Sequence, residues 1–219
     1  MTGYAGTLLV VLLALDLYMI STSRLGACIR ATALQGVVLA VLPLALTGIS
    51  SSTPTSEVLR LVAVAIATLC VKSGFIPWLM FRTLRGRGES REFEPFVSLH
   101  LSQIVNGALF GGAFWIAISL PPAWAHIHTM GLGVGLATLF VGLYMTINRR
   151  KEISQVLGFL VLESGVMVIG WALLRQPSFI IEVGALLDVL VAAMVLGILA
   201  TGLQASPDEA GVGEEGAQA

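Results

Sequence analysis

The sequence predicts an all-α, polytopic membrane protein with about seven transmembrane helices, and three observations predict it. Hydrophobic residues make up 56% of the 219-residue chain and charged residues only 11%, where soluble domains carry roughly a quarter charged residues. The mean hydropathy is +0.91, which leaves too little polar surface to coat a water-soluble globule. The apolar residues fall in successive long runs, and a run of about 20 is what crosses a hydrocarbon core at 1.5 Å per residue.

The first run is Gly3–Ser21. It lacks the basic segment that precedes the apolar part of a cleaved signal and reads as a retained helix. The second extends from about Ala31 to Ile49 and contains Pro43. A Ser/Thr/Pro loop at 50–56 leads to the third, Val58–Phe81. The polar stretch Arg85-Gly-Arg-Gly-Glu-Ser-Arg-Glu follows. A fourth run, Phe93–Leu120, stops at Pro121-Pro122, and Ile127–Ile147, Ile153–Leu174 and Phe179–Leu203 complete the set. Residues 1–203 thus read as one seven-helix domain. Residues 204–219, rich in Gly, Ala and Glu, read as a disordered acidic tail.

Lys and Arg collect in loops on the cytoplasmic side of a membrane. With seven spans, Arg24 and Arg30, then Arg82, Arg85, Arg87 and Arg91, then Arg149, Arg150 and Lys151 all fall on one side. Arg60 and Arg175 lie near the other face, and Lys72 lies inside a span. The expected orientation places the N-terminus outside and the tail in the cytoplasm, in a multi-pass protein of the cell (inner) membrane. Trp115, Trp124 and Trp171 sit toward outer helix ends and Trp78 toward an inner one, as interface anchors do.

A net charge of −1 gives no reason to expect a nucleic-acid partner. Cys28 and Cys70 are too few for a disulfide framework, a structural zinc site or an iron–sulfur cluster, and read as buried structural thiols. His126 and His128 fall in an outer loop and read as solvated. No phosphate-binding loop, metal-ligand spacing or nucleophile arrangement is present, so no catalytic residue, cofactor or metal is expected. The chain is not an enzyme by itself on this reading; any driving reaction belongs to another subunit.

Ionisable groups inside the spans carry the functional signal, because each costs a few kcal/mol at the bilayer centre unless a partner or a wet cavity receives it. Lys72 lies well inside the third span, five residues before Pro77. It reads either as a proton-accepting lysine or as a structural one paired with a neighbouring carboxylate. Glu163 is central in the sixth span, followed by Ser164 and Gly165, and Asp188 is central in the seventh. Glu182, six residues before Asp188, is on a different face and reads equally as a path residue or a rim residue. His100, with Gln103 and Asn106 after it, reads as a proton-entry group or as a hydrogen-bonded packing group. Asp16 is expected to reach the interface or pair with Arg24 or Arg30, and Gln35 to hydrogen-bond between helices. Lys72, Glu163 and Asp188 share a similar depth on three helices, which suits either a lateral proton path or a static ion-pair cluster.

The segment Asn148-Arg-Arg-Lys-Glu-Ile-Ser-Gln-Val-Leu-Gly-Phe-Leu-Val-Leu-Glu-Ser-Gly, with Glu182-Val-Gly-Ala-Leu-Leu-Asp188 beyond it, resembles hydrogenase-4 component E. Gly158, Glu163, Gly165, Glu182, Gly184 and Asp188 match that family's pattern, and Ser164 stands where the family has Asn. Lys72-Ser-Gly-Phe-Ile-Pro77 is also similar to it. The last three spans, about 127–203, further resemble the K subunit of NADH–quinone oxidoreductase and the C subunit of multisubunit cation/proton antiporters. Arg149-Arg150 fits the K-subunit basic loop, while Glu163 falls about one turn later than the K-subunit glutamate. The resemblance implies a non-catalytic subunit of a formate hydrogenlyase-type, group 4 hydrogenase or complex I-like assembly. Its partners would be antiporter-like membrane subunits and a hydrogenase or quinone-oxidoreductase-type module, and its proton path would comprise Glu163, Asp188, Lys72, His100 and Glu182. A scaffold subunit of an antiporter-like assembly and an independent secondary transporter are the alternatives.

Overall fold

The computed structural model describes residues 3–22, 24–47, 55–86, 99–120, 129–149, 152–173, 184 and 188–197. Backbone N–H and C=O groups find no water in a hydrocarbon core, so a spanning segment must bond them internally. The described chain accordingly forms helices: α1 (Gly3–Ser21), α2 (Leu25–Thr47), α3 (Thr55–Thr68), a π-helical segment (Leu69–Phe75), α4 (Ile76–Gly86), α5 (Leu99–Ile118), α6 (Thr129–Asn148) and α7 (Glu152–Leu173). A shorter apolar helix, α8, covers Asp188–Gly197. Among the described residues six stretches are long and apolar enough to cross a membrane, with α3, the π segment and α4 together making the third. The protein is an all-α, multi-pass membrane protein. Within the seventh expected span only Gly184 and α8 are described, and the acidic tail lies outside the described residues.

Several boundaries move from their sequence expectation. The second span starts at Leu25, so Arg30 is helical, with its side chain exposed. The third extends to Gly86. A long arginine side chain can carry its charge to the rim from inside a helix end, and that is why arginine is a poor marker of where a helix stops. Cys28 is buried as expected, whereas Cys70 is exposed, because it lies on a face of the π segment turned away from the bundle.

The π segment is the main departure from regular helix. Pro77 has no N–H to give, and its ring crowds the carbonyl four residues back. The turns before it widen instead: the Ile76 N–H bonds to the carbonyl of Val71, five residues earlier. α2 presses directly on this wider turn. A β-carbon on Gly36 would stand 3.0 Å from the Lys72 Cβ and 3.1 Å from the Ser73 nitrogen. A side chain there would press on the turn, and glycine leaves the two backbones close together.

α6 and α7 form an antiparallel hairpin built on a seven-residue spacing of glycine. Gly135 and Gly142 on α6, and Gly158 and Gly165 on α7, each face a neighbour where a β-carbon would collide with backbone. Gly135 meets Ile169, Leu139 meets Gly165, Gly142 meets Leu162 and Thr146 meets Gly158. The contact positions step by four, three and four along both helices, the knobs-into-holes repeat of a coiled coil. Each layer pairs one glycine with one larger residue, and the glycine alternates between helices. Lipid tails are as apolar as leucine, so close packing between helices takes the place of hydrophobic exclusion as the driving force.

Replacing Gly142 with Leu forces the hairpin apart, and overpacking of this kind costs about 1–3 kcal/mol or more. Gly107 on α5 has nothing within 4 Å of a notional β-carbon, so Gly107→Ala serves as a control. Thermal unfolding in detergent should show a clear loss for Gly142→Leu and none for Gly107→Ala. Equal melting of Gly142→Leu and the native chain would refute the packing register.

Candidate functional site

The buried interior is layered. One apolar cluster contains Leu9 and Leu12 of α1, Val38, Leu39 and Leu42 of α2, Val134 of α6 and Val168 of α7. A second contains Met19 and Ile20, Cys28 and Ile29, Ile76, Leu79 and Met80, Val141 and Met145, Leu157, Leu160 and Val161, with Val191 and Val195 of α8. Between the two on α1, α2, α6 and α7 come buried polar residues, Asp16, Gln35, Thr138, and Glu163 with Ser164, and buried Lys72 precedes Ile76 on the third span. Asp188 opens α8 just before Val191. A polar stratum thus crosses the bundle between two apolar ones.

The stratum contains a charged triad. Lys72 Nζ lies 2.9 Å from Glu163 Oε1 and 3.9 Å from Asp188 Oδ1. The Lys72 and Glu163 side chains are 5% and 0% exposed, and that of Asp188 is 16% exposed, so lipid and water reach the group only along the Asp188 edge. There a cavity of about 540 Å3 opens, with Asp188 in a wall otherwise made largely of apolar residues such as Val64, Val71 and Met167. The π turn displaces Lys72 from ordinary helical register, and Gly36 backs it from behind.

A second cluster lies in the same stratum. Asp16 Oδ1 accepts a 2.6 Å hydrogen bond from Gln35 Nε2, and Asp16 Oδ2 accepts a 2.7 Å bond from Thr138 Oγ1. All three residues are fully buried. Asp16 therefore does not use the arginines it was expected to meet: Arg24 and Arg30 are both exposed. Bonds from two neighbouring helices hold the carboxylate inside the bundle. Gln35 sits beside Gly36, whose backbone abuts Lys72, so the two clusters adjoin.

Toward the ends that bear the basic connections, a neutral network joins α5 to α6. The Tyr144 hydroxyl donates to Ser102 Oγ at 2.8 Å, Asn148 Nδ2 reaches the Tyr144 hydroxyl at 3.2 Å, and Asn106 Nδ2 donates to the Ser102 carbonyl at 2.7 Å. Arg149 is buried, and its guanidinium donates to the Met19 carbonyl in the last turn of α1 at 3.2 Å. A cation there also meets the negative end of the helix dipole. Burial pulls the Arg149 guanidinium down from its ordinary pKa, and the nearby Cys28 and Tyr144 oppose that shift.

Among the five expected path residues, the structure brings Lys72, Glu163 and Asp188 together. His100 stands in the first turn of α5 and is exposed. No hydrogen bond or ion pair links it to the triad among the described residues. Glu182 lies outside the described residues, as do His126, His128 and Trp124. Among the described residues no group of three or more His, Cys, Asp or Glu converges as a metal site would. Thr138 escaped sequence reasoning. A threonine in an apolar helix ordinarily bonds its own preceding turn, as Thr32, Thr83 and Thr146 do here, and nothing in the sequence separates Thr138 from these.

The fold and the buried layer define a class: a multi-pass helical membrane protein with ionisable groups held inside its bundle. The chain belongs to the same family as the uncharacterized protein Rv0085 of Mycobacterium tuberculosis (strain ATCC 25618 / H37Rv), to which it is 32% identical over 176 residues, spanning 80% of this chain and 77% of that one. No family model matches the chain, and no solved structure matches it.

Removing one partner of a buried ion pair leaves an uncompensated charge and costs about 3–5 kcal/mol. Lys72→Met leaves two carboxylates facing each other and should lower the thermal midpoint in detergent more than Glu163→Gln does. The double variant should then be less destabilised than the sum of the single ones. Additive losses would show that the two side chains are not energetically coupled.

Proposed function

We propose that this chain is a non-catalytic membrane subunit of a redox-driven complex and that its polar stratum carries protons laterally through the bundle. The observation that carries the reading is the Lys72–Glu163–Asp188 triad, one ammonium facing two carboxylates from three separate helical elements. One ammonium balances one carboxylate. The charge of the second is left for a proton or ion to neutralise, and the partial exposure of Asp188 gives that ion a way in. The adjoining Asp16–Gln35–Thr138 cluster extends the polar layer to α1 and α6, so the route runs in the plane of the membrane. Charges that pair within the chain favour a relay over docking groups reserved for a neighbouring subunit.

The resemblance to hydrogenase-4 component E supports a more specific form of the proposal. In that form the host is a formate hydrogenlyase-type or complex I-like assembly in the cell inner membrane, with antiporter-like subunits beside this chain. The N-terminus faces outward and the basic connections face the cytoplasm. His100 and Glu182 serve as outlying groups of the path.

Glu163→Gln keeps the shape and hydrogen-bonding capacity of the side chain but cannot carry a proton. In inverted vesicles bearing the host complex, this variant should abolish proton pumping while all partner subunits remain assembled. Normal pumping by Glu163→Gln would refute the relay. Mass spectrometry of the complex purified gently through a C-terminal tag should recover antiporter-like and redox subunits. Recovery of this chain alone, intact and monodisperse, would favour an independent transporter.

A further inference from the structure

On the side of the basic connections, α2 and α4 flank a second cavity. The two helices touch where Gly26 faces Phe81, a notional β-carbon lying 3.7 Å from the ring. One turn along α2 from that contact is Arg30, and next to Phe81 on α4 is Arg82. Between them opens a cavity of about 490 Å3 lined by Arg30, Trp78, Phe81 and Arg82. The Arg82 guanidinium lies 5.7 Å from the centroid of the Trp78 ring, a cation–π arrangement that fixes its position. Both arginines are exposed. Among the described residues neither has a carboxylate at ion-pair distance.

Two guanidiniums with no carboxylate partner among the described residues flank a cavity that suits an anion, and the planar fork of arginine suits the oxygens of a phosphate. The remaining wall indicates what the phosphate is attached to. Trp78 is one helical turn deeper than Arg82, and Phe75 nearly one turn deeper again, its ring centroid 6.3 Å from that of Trp78. Both rings are about half exposed. Rings at this spacing form an apolar strip that descends from the charged rim along the outside of the bundle. A soluble anion has no use for such a strip, whereas an acyl chain can lie along it.

We propose that Arg30, Arg82, Trp78 and Phe81 form a binding site for an anionic membrane phospholipid, with its phosphate between the two guanidiniums and an acyl chain along Trp78 and Phe75. Basic pockets between spanning helices take anionic headgroups in this way. The site needs no part of the proton-path reading. It marks this corner of the bundle as lipid-facing, so no partner subunit covers it.

Native mass spectrometry of the detergent-purified full chain, titrated with phosphatidylglycerol and with phosphatidylcholine, tests the proposal. The native chain should bind phosphatidylglycerol in preference. The Arg30→Gln/Arg82→Gln variant should bind it about tenfold or more weakly, a difference of about 1.4 kcal/mol. Both side chains lie outside the core, so the variant should unfold at the native temperature without lipid and lose only the rise that phosphatidylglycerol gives the native chain. Equal loading of the two lipids, unchanged loading of the variant, or displacement of the lipid by excess inorganic phosphate would each overturn the proposal. The last result would instead make this a site for a soluble anion.

Discussion

The ammonium of Lys72 sits where neither lipid nor bulk water can solvate it, and the arrangement of the bundle follows from that constraint. An unpaired charge at this depth is unstable in a bilayer. Glu163 and Asp188 answer it from α7 and α8, so these two elements must pack against the third span at a fixed depth. The apolar clusters on either side of the polar layer keep the pair dry. They also strengthen its mutual attraction, since electrostatic interactions gain as the surroundings lose polarity. The same dryness makes an imperfect pairing costly, and this selects one register among the helices.

Two backbone features make that register reachable. The π segment ahead of Pro77 turns Lys72 out of ordinary helical phase, and Gly36 lets α2 support the widened turn at backbone distance. π-type turns inside helices occur frequently at functional sites. Here the device has a visible physical task, the aiming of one side chain. On the other side of the bundle the glycine-layered hairpin of α6 and α7 forms a rigid frame. It holds Thr138 toward Asp16 and Glu163 toward Lys72 at once, because the close approach of the two helices leaves little freedom to slide.

The buried Arg149 and the Ser102–Tyr144–Asn148 network close the bundle on the side of the basic connections. An arginine in a positively charged loop ordinarily points to water. This one turns inward to bond the Met19 carbonyl at the end of α1, where the last carbonyls of a helix have no partner of their own. One charge of the basic loop between α6 and α7 therefore ties the hairpin to the first helix.

The sequence by itself determined the class and the succession of long apolar helices, because membrane solvation acts on local composition: about 20 apolar residues suffice, whatever their neighbours. It also pointed to Lys72, Glu163 and Asp188, since an ionisable residue in mid-span stands out against an apolar background. Tertiary structure alone decided which groups meet. Asp16 has arginines nearby in sequence, yet it bonds Gln35 and Thr138, because α1 packs against α2 and α6. Thr138 and Arg149 carry no signal in a single helix or loop, and their roles exist only once α1 packs against α6 and α7. Composition acts residue by residue, whereas pairing depends on the crossing of helices distant in sequence, and only the folded bundle specifies those crossings.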